Sequence, residues 1–275
     1  MGKILVTGAT GNVGSHVASQ LARAGLEVRA FARKPEKVQA GVEVVQGDLT
    51  VPETLEPALK DVESVFLLWP GMSTGNAGEV VSAIARHARR VVYLSAYVPG
   101  SEDAATHYGD IEHFIRTSGL GWTFLRPGGF SANTLGWAEQ IKRDGVVRWP
   151  YGQASRALIH EKDIAAVAVH ALTSAGHNGA SYDLTGPAEL TQAEQVRAIG
   201  EAIGREVRWE EQPVEEARER LLAAWGEPEF VQSALKAWES FVTHPEKATD
   251  TVERLLGRPA LSFRQWAEDH AADFR

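Results

Sequence analysis

Short apolar segments alternate with longer amphipathic segments through the first two thirds of the 275-residue chain. The apolar segments are continuous runs, which is typical of parallel strands covered on both faces, and the segments between them predict helices. The predicted strands are residues 4–6, 27–32, 42–46, 64–69, 91–95 and 122–126, and the predicted helices are residues 12–24, 54–59, 77–88 and 104–117. This alternation predicts an α/β fold with a doubly wound parallel sheet.

A glycine-rich turn follows the first predicted strand, and its sequence is Thr-Gly-Ala-Thr-Gly-Asn-Val-Gly over residues 7–14. Strand, glycine turn and helix in this order are typical of a dinucleotide-binding unit. We expect Gly8 to form the tight turn, Gly11 to let the backbone approach a pyrophosphate, and Gly14 to let the helix pack on the strand. The backbone N–H groups near Asn12 and Val13 would then meet the phosphates at the helix N-terminus. Thr7 and Thr10 complete the predicted turn.

The end of the second predicted strand separates NAD binding from NADP binding in such folds, because an acidic residue there binds the ribose 2′-hydroxyl and an arginine accepts a 2′-phosphate. This chain has Arg33 followed by Lys34 and no acid at that position. The sequence therefore predicts NADP(H), with Arg33 at the 2′-phosphate, although a solvated basic loop would have the same composition. Asp48 follows the third strand, where it either borders the adenine or begins the next helix.

The regular alternation ends at Pro127. Beyond it the pattern predicts a helix at residues 133–142, a short strand at 157–160, a helix at 164–172 capped by Asp163, and a strand at 180–184. Residues 191–203, 214–225, 229–241 and 263–270 predict further helices. We therefore expect a Rossmann core over residues 1–185, with 128–155 contributing in part to the substrate side. Residues 186–275 would form a smaller, mainly helical lobe that covers the substrate.

Composition narrows the function classes. The net charge is −8 and no basic block is present, so nucleic-acid binding by direct contact is not expected. The absence of cysteine excludes disulfides and thiolate metal sites, and no metal site is expected. No apolar run approaches the ~20 residues of a membrane span, and the first residues lack a signal-peptide pattern. We expect a cytoplasmic protein without membrane contact, and the sequence leaves a homodimer open.

The glycine turn, residues 28–33, Gly47-Asp48, the segment 118–130 with Asn133, and residues 163–168 resemble the NmrA-like group of atypical short-chain dehydrogenases/reductases. Residues 251–266 are also similar to bacterial members of the group. The segment 118–130 (Ser-Gly-Leu-Gly-Trp-Thr-Phe-Leu-Arg-Pro-Gly-Gly-Phe) is the most specific of these. The resemblance implies NADP(H) binding in a Rossmann core. It implies either a reductase of quinones, triphenylmethane dyes and similar acceptors, or a dinucleotide-binding regulator of a partner protein.

Ordinary short-chain reductases use a Tyr-x-x-x-Lys pair, in which the tyrosine delivers a proton and the lysine lowers its pKa. The resemblance places the lysine position on Tyr108 and the tyrosine position on Ala104, so the pair is absent. A match shifted by four residues gives Tyr108-x-x-x-Glu112. Hydride transfer to a conjugated acceptor tolerates this absence better than carbonyl reduction does.

Substitute catalytic groups are Tyr97, just past strand five, and His107 or Tyr108 in the following helix. Residues of these types are more often simply pocket-wall or surface residues. Ser95 ends a strand at the crevice where ligands bind, and simple strand-end hydrogen bonding explains it equally well. Leu68, Trp69 and Ser95 are also predicted to bind the cofactor. Trp69, Ser95, Tyr97 and Phe130 are predicted to border the nicotinamide and the substrate. A flat substrate pocket is predicted from Trp69, Tyr97, Phe130, Trp137 and Trp149, although each tryptophan alone is more often a core residue.

Together these features predict an NADP(H)-dependent oxidoreductase that transfers hydride to a quinone-like or other conjugated aromatic acceptor. The alternative is a catalytically weak NADP(H) sensor that binds a partner protein. The missing Tyr-x-x-x-Lys pair is the feature that supports this alternative.

Overall fold

The structure is a computed structural model that describes residues 2–71, 73–97 and 107–275. In this part of the chain the strands are Lys3–Thr7 (β1), Val28–Ala32 (β2), Glu43–Gln46 (β3), Val62–Leu68 (β4), Arg90–Leu94 (β5), Gly121–Pro127 (β6), Val146–Trp149 (β7), Ser155–Arg156 (β8), Ala180–Leu184 (β9), Leu190–Thr191 (β10) and Arg208–Glu211 (β11). The α-helices are Asn12–Arg23 (α1), Ala77–His87 (α2), His107–Thr117 (α3), Ala138–Asp144 (α4), Glu161–Thr173 (α5), Gln192–Ile203 (α6), Val214–Trp225 (α7), Pro228–Thr243 (α8), Thr251–Leu256 (α9) and Phe263–Asp269 (α10).

The chain forms two units. The first unit comprises Met1–Gly128, Glu161–Leu184 and Thr251–Pro259, and the second comprises Gly129–His160, Thr185–Asp250 and Ala260–Arg275. The predicted boundary between residues 185 and 186 lies beside one of the points where the chain passes from one unit to the other. The second unit also includes residues 129–160, which overlap the segment predicted to contribute to the substrate side.

A seven-stranded sheet in the order β3-β2-β1-β4-β5-β6-β9 forms the first unit, and every neighbouring pair is parallel. The strand order reverses at β1, which pairs with β2 on one side and with β4 on the other. In open α/β sheets, ligands bind outside the carboxyl ends of the strands at such a reversal. The predicted doubly wound fold is confirmed, and a ligand site is expected at this reversal of strand order.

The central strands are apolar because helices cover both faces of the sheet. Ile4, Leu5 and Val6 of β1 and Val65 and Phe66 of β4 are fully buried. Each such side chain contributes about 1.5–3 kcal/mol on burial, which is far more than helix or strand propensity supplies. This burial fixes the register of the strands, and with it the position of the residues that follow each carboxyl end.

Several boundaries differ from the prediction. Residues 54–59 do not form an α-helix but two 3-10 turns, Pro52–Thr54 and Glu56–Leu59, because Pro57 has no N–H to donate. The predicted strand at 157–160 is wrong: the strand is Ser155–Arg156, which pairs with Leu190–Thr191, and Ile159 makes only an isolated bridge. The predicted helix at 133–142 begins instead as the 3-10 segment Ser131–Trp137 and continues as α4.

The sequence pattern did not predict several other features of the fold. Asp163 does not cap α5 but lies inside it, where its buried carboxylate accepts a hydrogen bond from Arg258 at 2.7 Å. The parallel pair β7 and β11 and the short helix α9 were not predicted. Ala104, with the start of the predicted helix 104–117, lies outside the described residues, and α3 is described from His107.

Candidate functional site

The glycine turn has the geometry that its sequence predicts. Gly8 has φ +65°, a left-handed conformation that a side chain would strain, and its carbonyl accepts a hydrogen bond from the Gly11 N–H at 2.9 Å. A Cβ atom on Gly14 would lie 2.2 Å from the Gly8 carbonyl oxygen, so only glycine lets α1 approach the turn this closely. Asn12 and Val13 form the first turn of α1, where backbone N–H groups have no partner within the helix. The turn is therefore built to receive an anion.

The glycine turn opens on a cavity of about 380 Å³ in the first unit. A separate cavity of about 550 Å³ lies in the second unit and is described below. The first-unit cavity, called the cofactor cavity below, lies along the ends of β1, β2, β3 and β4 at the reversal of strand order. Seven of the predicted cofactor residues line it: Thr7, Gly8, Thr10, Gly11, Arg33, Asp48 and Leu68. The other lining residues are Phe31, Ala32, Lys34, Lys37, Gly47, Leu49 and Pro70.

Thr7 joins β1 to β4 through its side chain. Its hydroxyl accepts a hydrogen bond from the Leu68 N–H at 2.7 Å and lies 3.2 Å from the carbonyl oxygens of Phe66 and Leu68. The side chain is fully buried. The hydroxyl therefore fixes where the two strands end, and any contact of Thr7 with a cofactor would involve its backbone.

Arg33 stands at the rim of the cofactor cavity with 73% of its side chain exposed. Its Nη1 lies 4.0 Å from Oδ2 of Asp48, which is a loose ion pair. Asp48 is held in place by Thr50, whose N–H and hydroxyl both donate to Oδ1 at 2.9 Å. These hydrogen bonds, followed by the charge of Arg33, lower the pKa of Asp48. The guanidinium thus keeps donors for a phosphate, and Lys34 and Lys37 add positive charge to the same wall.

Trp69 and Ser95 are more enclosed than their predicted roles require. The indole of Trp69 lies in the buried core of the first unit and donates from Nε1 to the Ser73 carbonyl at 2.9 Å. Ser95 is buried and donates from its hydroxyl to Oε1 of Glu112 at 2.7 Å. Their contact with a nicotinamide ring stays a prediction.

Glu112 is the centre of a buried polar network that the sequence analysis did not identify. Its carboxylate is 0% exposed. It accepts hydrogen bonds from Ser95, from Arg126 at 2.9 and 2.6 Å, and from Arg116 at 3.1 Å. Only the unusual Tyr-x-x-x-Glu spacing had marked Glu112. Its partners lie directly after β5, in β6 and in α3, and sequence spacing does not reveal which of these elements meet.

A second acid adjoins this network. Asp183 of β9 is the register partner of Arg126 in the neighbouring strand β6. Burial raises the pKa of Asp183, the charge of Arg126 opposes that rise, and Glu112 adds to it. Arg126 therefore lies between two carboxyl groups and compensates the charge of the more deeply buried one.

The predicted proton donors lie in different surroundings. Tyr97 is half-buried, and its backbone N–H donates to the Pro127 carbonyl at 3.0 Å, which fixes the chain just past β5. Tyr108 packs against the core of the first unit, and its ring lies 4.0 Å from the ring of His107. Burial raises the pKa of Tyr108 and lowers that of His107. The catalytic assignments of Ser95, Tyr97 and Tyr108 stay predictions.

The 550 Å³ cavity of the second unit, called the aromatic cavity below, has a size within the range usual for small-molecule sites. Its walls include Trp137 and Trp149, two of the predicted substrate residues, with Trp225, Phe230 and Trp238. The rings of Trp137 and Trp149 meet edge to face at 6.4 Å. Phe130 does not line this cavity; its backbone bridges to Ile159.

Two further features bear on metal binding and on membrane insertion. Within residues 2–71, 73–97 and 107–275, no group of three histidine, aspartate or glutamate side chains is placed to hold a metal ion. None of the helices described here combines the length and hydropathy that crossing a membrane requires.

The chain has relatives of known activity. Residues 8–175 match the family described as NAD(P)H-binding. The chain is 41% identical over 280 residues to the (4-alkanoyl-5-oxo-2,5-dihydrofuran-3-yl)methyl phosphate reductase of Streptomyces griseus, covering 98% of this chain and 99% of the relative. It is 34% identical over 286 residues to the NAD(P)H azoreductase of Xenophilus azovorans, with 98% and 99% covered. Its fold is similar to that of an NADPH-dependent quinone oxidoreductase from Escherichia coli, with TM-score 0.77, 25% identity, and 97% and 98% covered.

The fold and the cofactor cavity define an NAD(P)H-dependent reductase with a Rossmann-type parallel sheet. The chain belongs to the NAD(P)H-binding family. The predicted cofactor class, fold class and enzyme class are therefore confirmed.

Proposed function

We propose that this reductase transfers hydride from NADPH to a conjugated acceptor, such as a quinone or an alkene activated by a carbonyl group. The observation that carries the proposal is the aromatic cavity, whose indole and phenyl walls suit a flat conjugated ring. The relatives support the same class. One reduces a dihydrofuranone whose ring alkene is conjugated to a carbonyl, and others are named for azo and quinone reduction.

The reaction requires hydride acceptance and one proton. NADPH, when bound, supplies the hydride and leaves as NADP⁺. A quinone that accepts the hydride becomes a hydroquinone anion, and an activated alkene becomes an enolate; one proton completes either product. Because the negative charge is delocalised, the proton need not come from a strongly acidified tyrosine. This fits a chain that has Glu112, and not a lysine, four positions after Tyr108.

We also propose that NADPH is preferred over NADH. Arg33 lines the rim of the cofactor cavity, is largely exposed, and pairs only loosely with Asp48. A 2′-phosphate would give the guanidinium a charge-assisted partner that NADH lacks. The adenine would then lie against Asp48 and Leu49.

The finer assignments made from sequence are proposals as well. Membership of the NmrA-like group is supported by the segment 118–130, and a cytoplasmic location stays a proposal. The net charge of −8 argues against direct nucleic-acid binding. Sedimentation at several concentrations would decide whether two copies associate.

Steady-state oxidation of NADPH tests the central proposal. The acceptor panel comprises quinones, carbonyl-activated alkenes, azo dyes and simple ketones. We expect turnover with the conjugated acceptors and little with the ketones. Turnover of ketones alone, or tight NADPH binding without turnover of any conjugated acceptor, would contradict the proposal.

A further inference from the structure

The aromatic cavity contains a cation without a compensating acid. Arg220 lies on α7 and lines the cavity. Its Nη1 donates to the Arg148 carbonyl at 2.8 Å, and its Cζ lies 4.8 Å from the ring centroid of Trp149. Its Nη2 is shielded from solvent and has no hydrogen-bond partner among the described residues. The guanidinium is therefore positioned by the protein but only partly satisfied by it.

The second arginine of the cavity, Arg156, has its charge compensated by a carboxylate. Arg156 donates from Nη2 to Oε1 of Glu246 at 2.8 Å and from Nε to Oε2 at 3.2 Å. No described carboxylate lies within ion-pair distance of Arg220, and burial alone lowers its pKa. A partly buried, unpaired cation is costly, and an anion that enters the cavity would offset that cost.

The residues around Arg220 favour an anion further. Although the whole chain carries a net charge of −8, no aspartate or glutamate is among the residues that line the aromatic cavity. Two of the cavity's neutral amides are occupied: Gln192 donates to the Pro150 and Tyr151 carbonyls, and Gln195 donates to the Leu190 carbonyl. Arg220 thus supplies an uncompensated positive charge to a wall whose lining residues include no carboxylate.

The rest of the wall indicates what the anion is attached to. Trp225 and Phe230 line the cavity and are 38% and 53% exposed, although large apolar side chains are mostly buried in this chain. Their rings lie 5.3 Å apart. Exposed aromatic groups beside a cavity are typical of a surface that binds an apolar ligand.

We propose that the acceptor of this reductase carries an anionic oxygen group, a phosphate ester or a carboxylate, on an apolar body, and that Arg220 binds this group. Arg220 then determines substrate selectivity and takes no part in hydride transfer. That the bound ligand is the hydride acceptor rests on the proposed function. The anion site itself is a property of the second unit alone, so binding can be tested without turnover.

The first arm of the test is equilibrium binding to the full chain loaded with NADP⁺. The probes are naphthyl phosphate, naphthoate and the neutral methyl ester of naphthoate, measured by calorimetry. In the unsubstituted protein we expect either anion to bind at least about tenfold more tightly than the ester, which corresponds to one charge-assisted hydrogen bond. The better of the two anions identifies the group as phosphate or carboxylate.

Arg220→Gln should remove this preference, whereas Arg220→Lys should retain part of it because the charge remains. Arg218→Gln is the matched control, since Arg218 lies on the same helix, pairs with Glu215 and does not line the cavity. Thermal unfolding of each variant checks that it folds. The proposal would be overturned if the unsubstituted protein bound the anions and the ester with equal affinity. It would also be overturned if the Arg220→Gln variant still preferred the anions to the ester.

The second arm measures turnover of naphthoquinones that differ only in a carboxylate or its methyl ester. Arg220→Gln should raise KM for the carboxylate at least about tenfold more than it raises KM for the ester. A purely structural role for Arg220 would change both substrates alike, which also counts against the proposal. If neither quinone reacts while the anions still bind through Arg220, the acceptor assignment fails and the anion site stands.

Discussion

Arg126 holds the buried carboxylate of Glu112 by two hydrogen bonds, from Nε to Oε1 at 2.9 Å and from Nη2 to Oε2 at 2.6 Å. The pair joins α3 to β6, while Ser95 on the same carboxylate adds the end of β5. Three elements of the first unit are thus joined around one charge. We interpret this network as structural, since its carboxylate oxygens are already occupied by protein donors.

Replacing Glu112 by glutamine should therefore act mainly on stability. The substitution keeps the shape but removes the charge that compensates Arg126, and breaking one side of a buried ion pair costs about 3–5 kcal/mol. Urea unfolding should show this loss, with Asp110→Asn on the exposed face of α3 as the control that leaves stability unchanged. Unchanged stability together with a large fall in kcat would instead make Glu112 a catalytic group.

Charge reversal at Arg33 should separate the two cofactors. Arg33→Glu places a negative charge where the 2′-phosphate is proposed to bind, so the Kd of NADPH should rise at least about tenfold while that of NADH changes little. Fluorescence titration with both cofactors measures this. Arg23→Glu makes the same charge change at the exposed end of α1, away from the cofactor cavity, and should leave both affinities unaltered. Equal losses for NADPH and NADH in Arg33→Glu would refute the assignment.

Filling the aromatic cavity should weaken acceptor binding. Ala234 lines the cavity on α8, and Ala234→Trp would occupy space that a conjugated ring needs. KM for a quinone should rise at least about fivefold, equivalent to about 1 kcal/mol of overpacking, with NADPH affinity unchanged. Ala237→Trp, on the exposed side of the same helix, provides the control. If KM is the same in both variants, the acceptor binds elsewhere.

Stability should fall in mild acid because of a buried histidine. His177 hydrogen-bonds through Nε2 to the Ser174 hydroxyl at 3.0 Å and through Nδ1 to the Tyr182 hydroxyl at 2.8 Å. Burial, followed by the nearby His170 and Arg90, lowers its pKa below the ordinary 6.5. As the pH falls, the unfolded chain therefore binds a proton at His177 more readily than the folded chain does. The contribution of neutral His177 to the free energy of unfolding is complete above pH 6.5 and is lost as the pH falls below it.

The pH effect is measured by urea unfolding at a series of pH values. The slope attributable to His177 should not exceed about 1.4 kcal/mol per pH unit, the value for one proton. His107, whose pKa burial also lowers, acts in the same direction. His177→Gln should flatten the dependence, while His113→Gln, at an exposed position of α3, should not. A His177→Gln protein with the original slope would show that other groups govern the acid response.

The sheet and the glycine turn were predictable because their signals are local. A continuous apolar run predicts a buried parallel strand, and Gly8 and Gly14 report a turn formed by their immediate neighbours. The polar network around Glu112 was not predictable, since Ser95 and Arg126 lie 17 and 14 positions away in the chain. Likewise, β7 and β11 are short segments with charged residues, which only long-range pairing makes strands.

The same distinction between local and long-range signals applies to the site residues. Seven of the predicted cofactor residues line one cavity because they follow neighbouring strand ends, which the fold class already places together. Trp69 was assigned to the same region but is buried in the core, since the direction of a side chain at a strand end depends on packing. Arg220 had no sequence signal, because the absence of a partner for a charge is visible only in three dimensions.

Direct transfer of hydride tests the central claim most sharply. NADPH deuterated on the reacting face of the nicotinamide is incubated with the protein and an alkene conjugated to a carbonyl, and the product is examined by mass spectrometry and NMR. We expect one deuterium at the carbon β to the carbonyl and a solvent proton at the α carbon. Tight NADPH binding with no deuterium in any conjugated acceptor would contradict it and would favour a dinucleotide sensor.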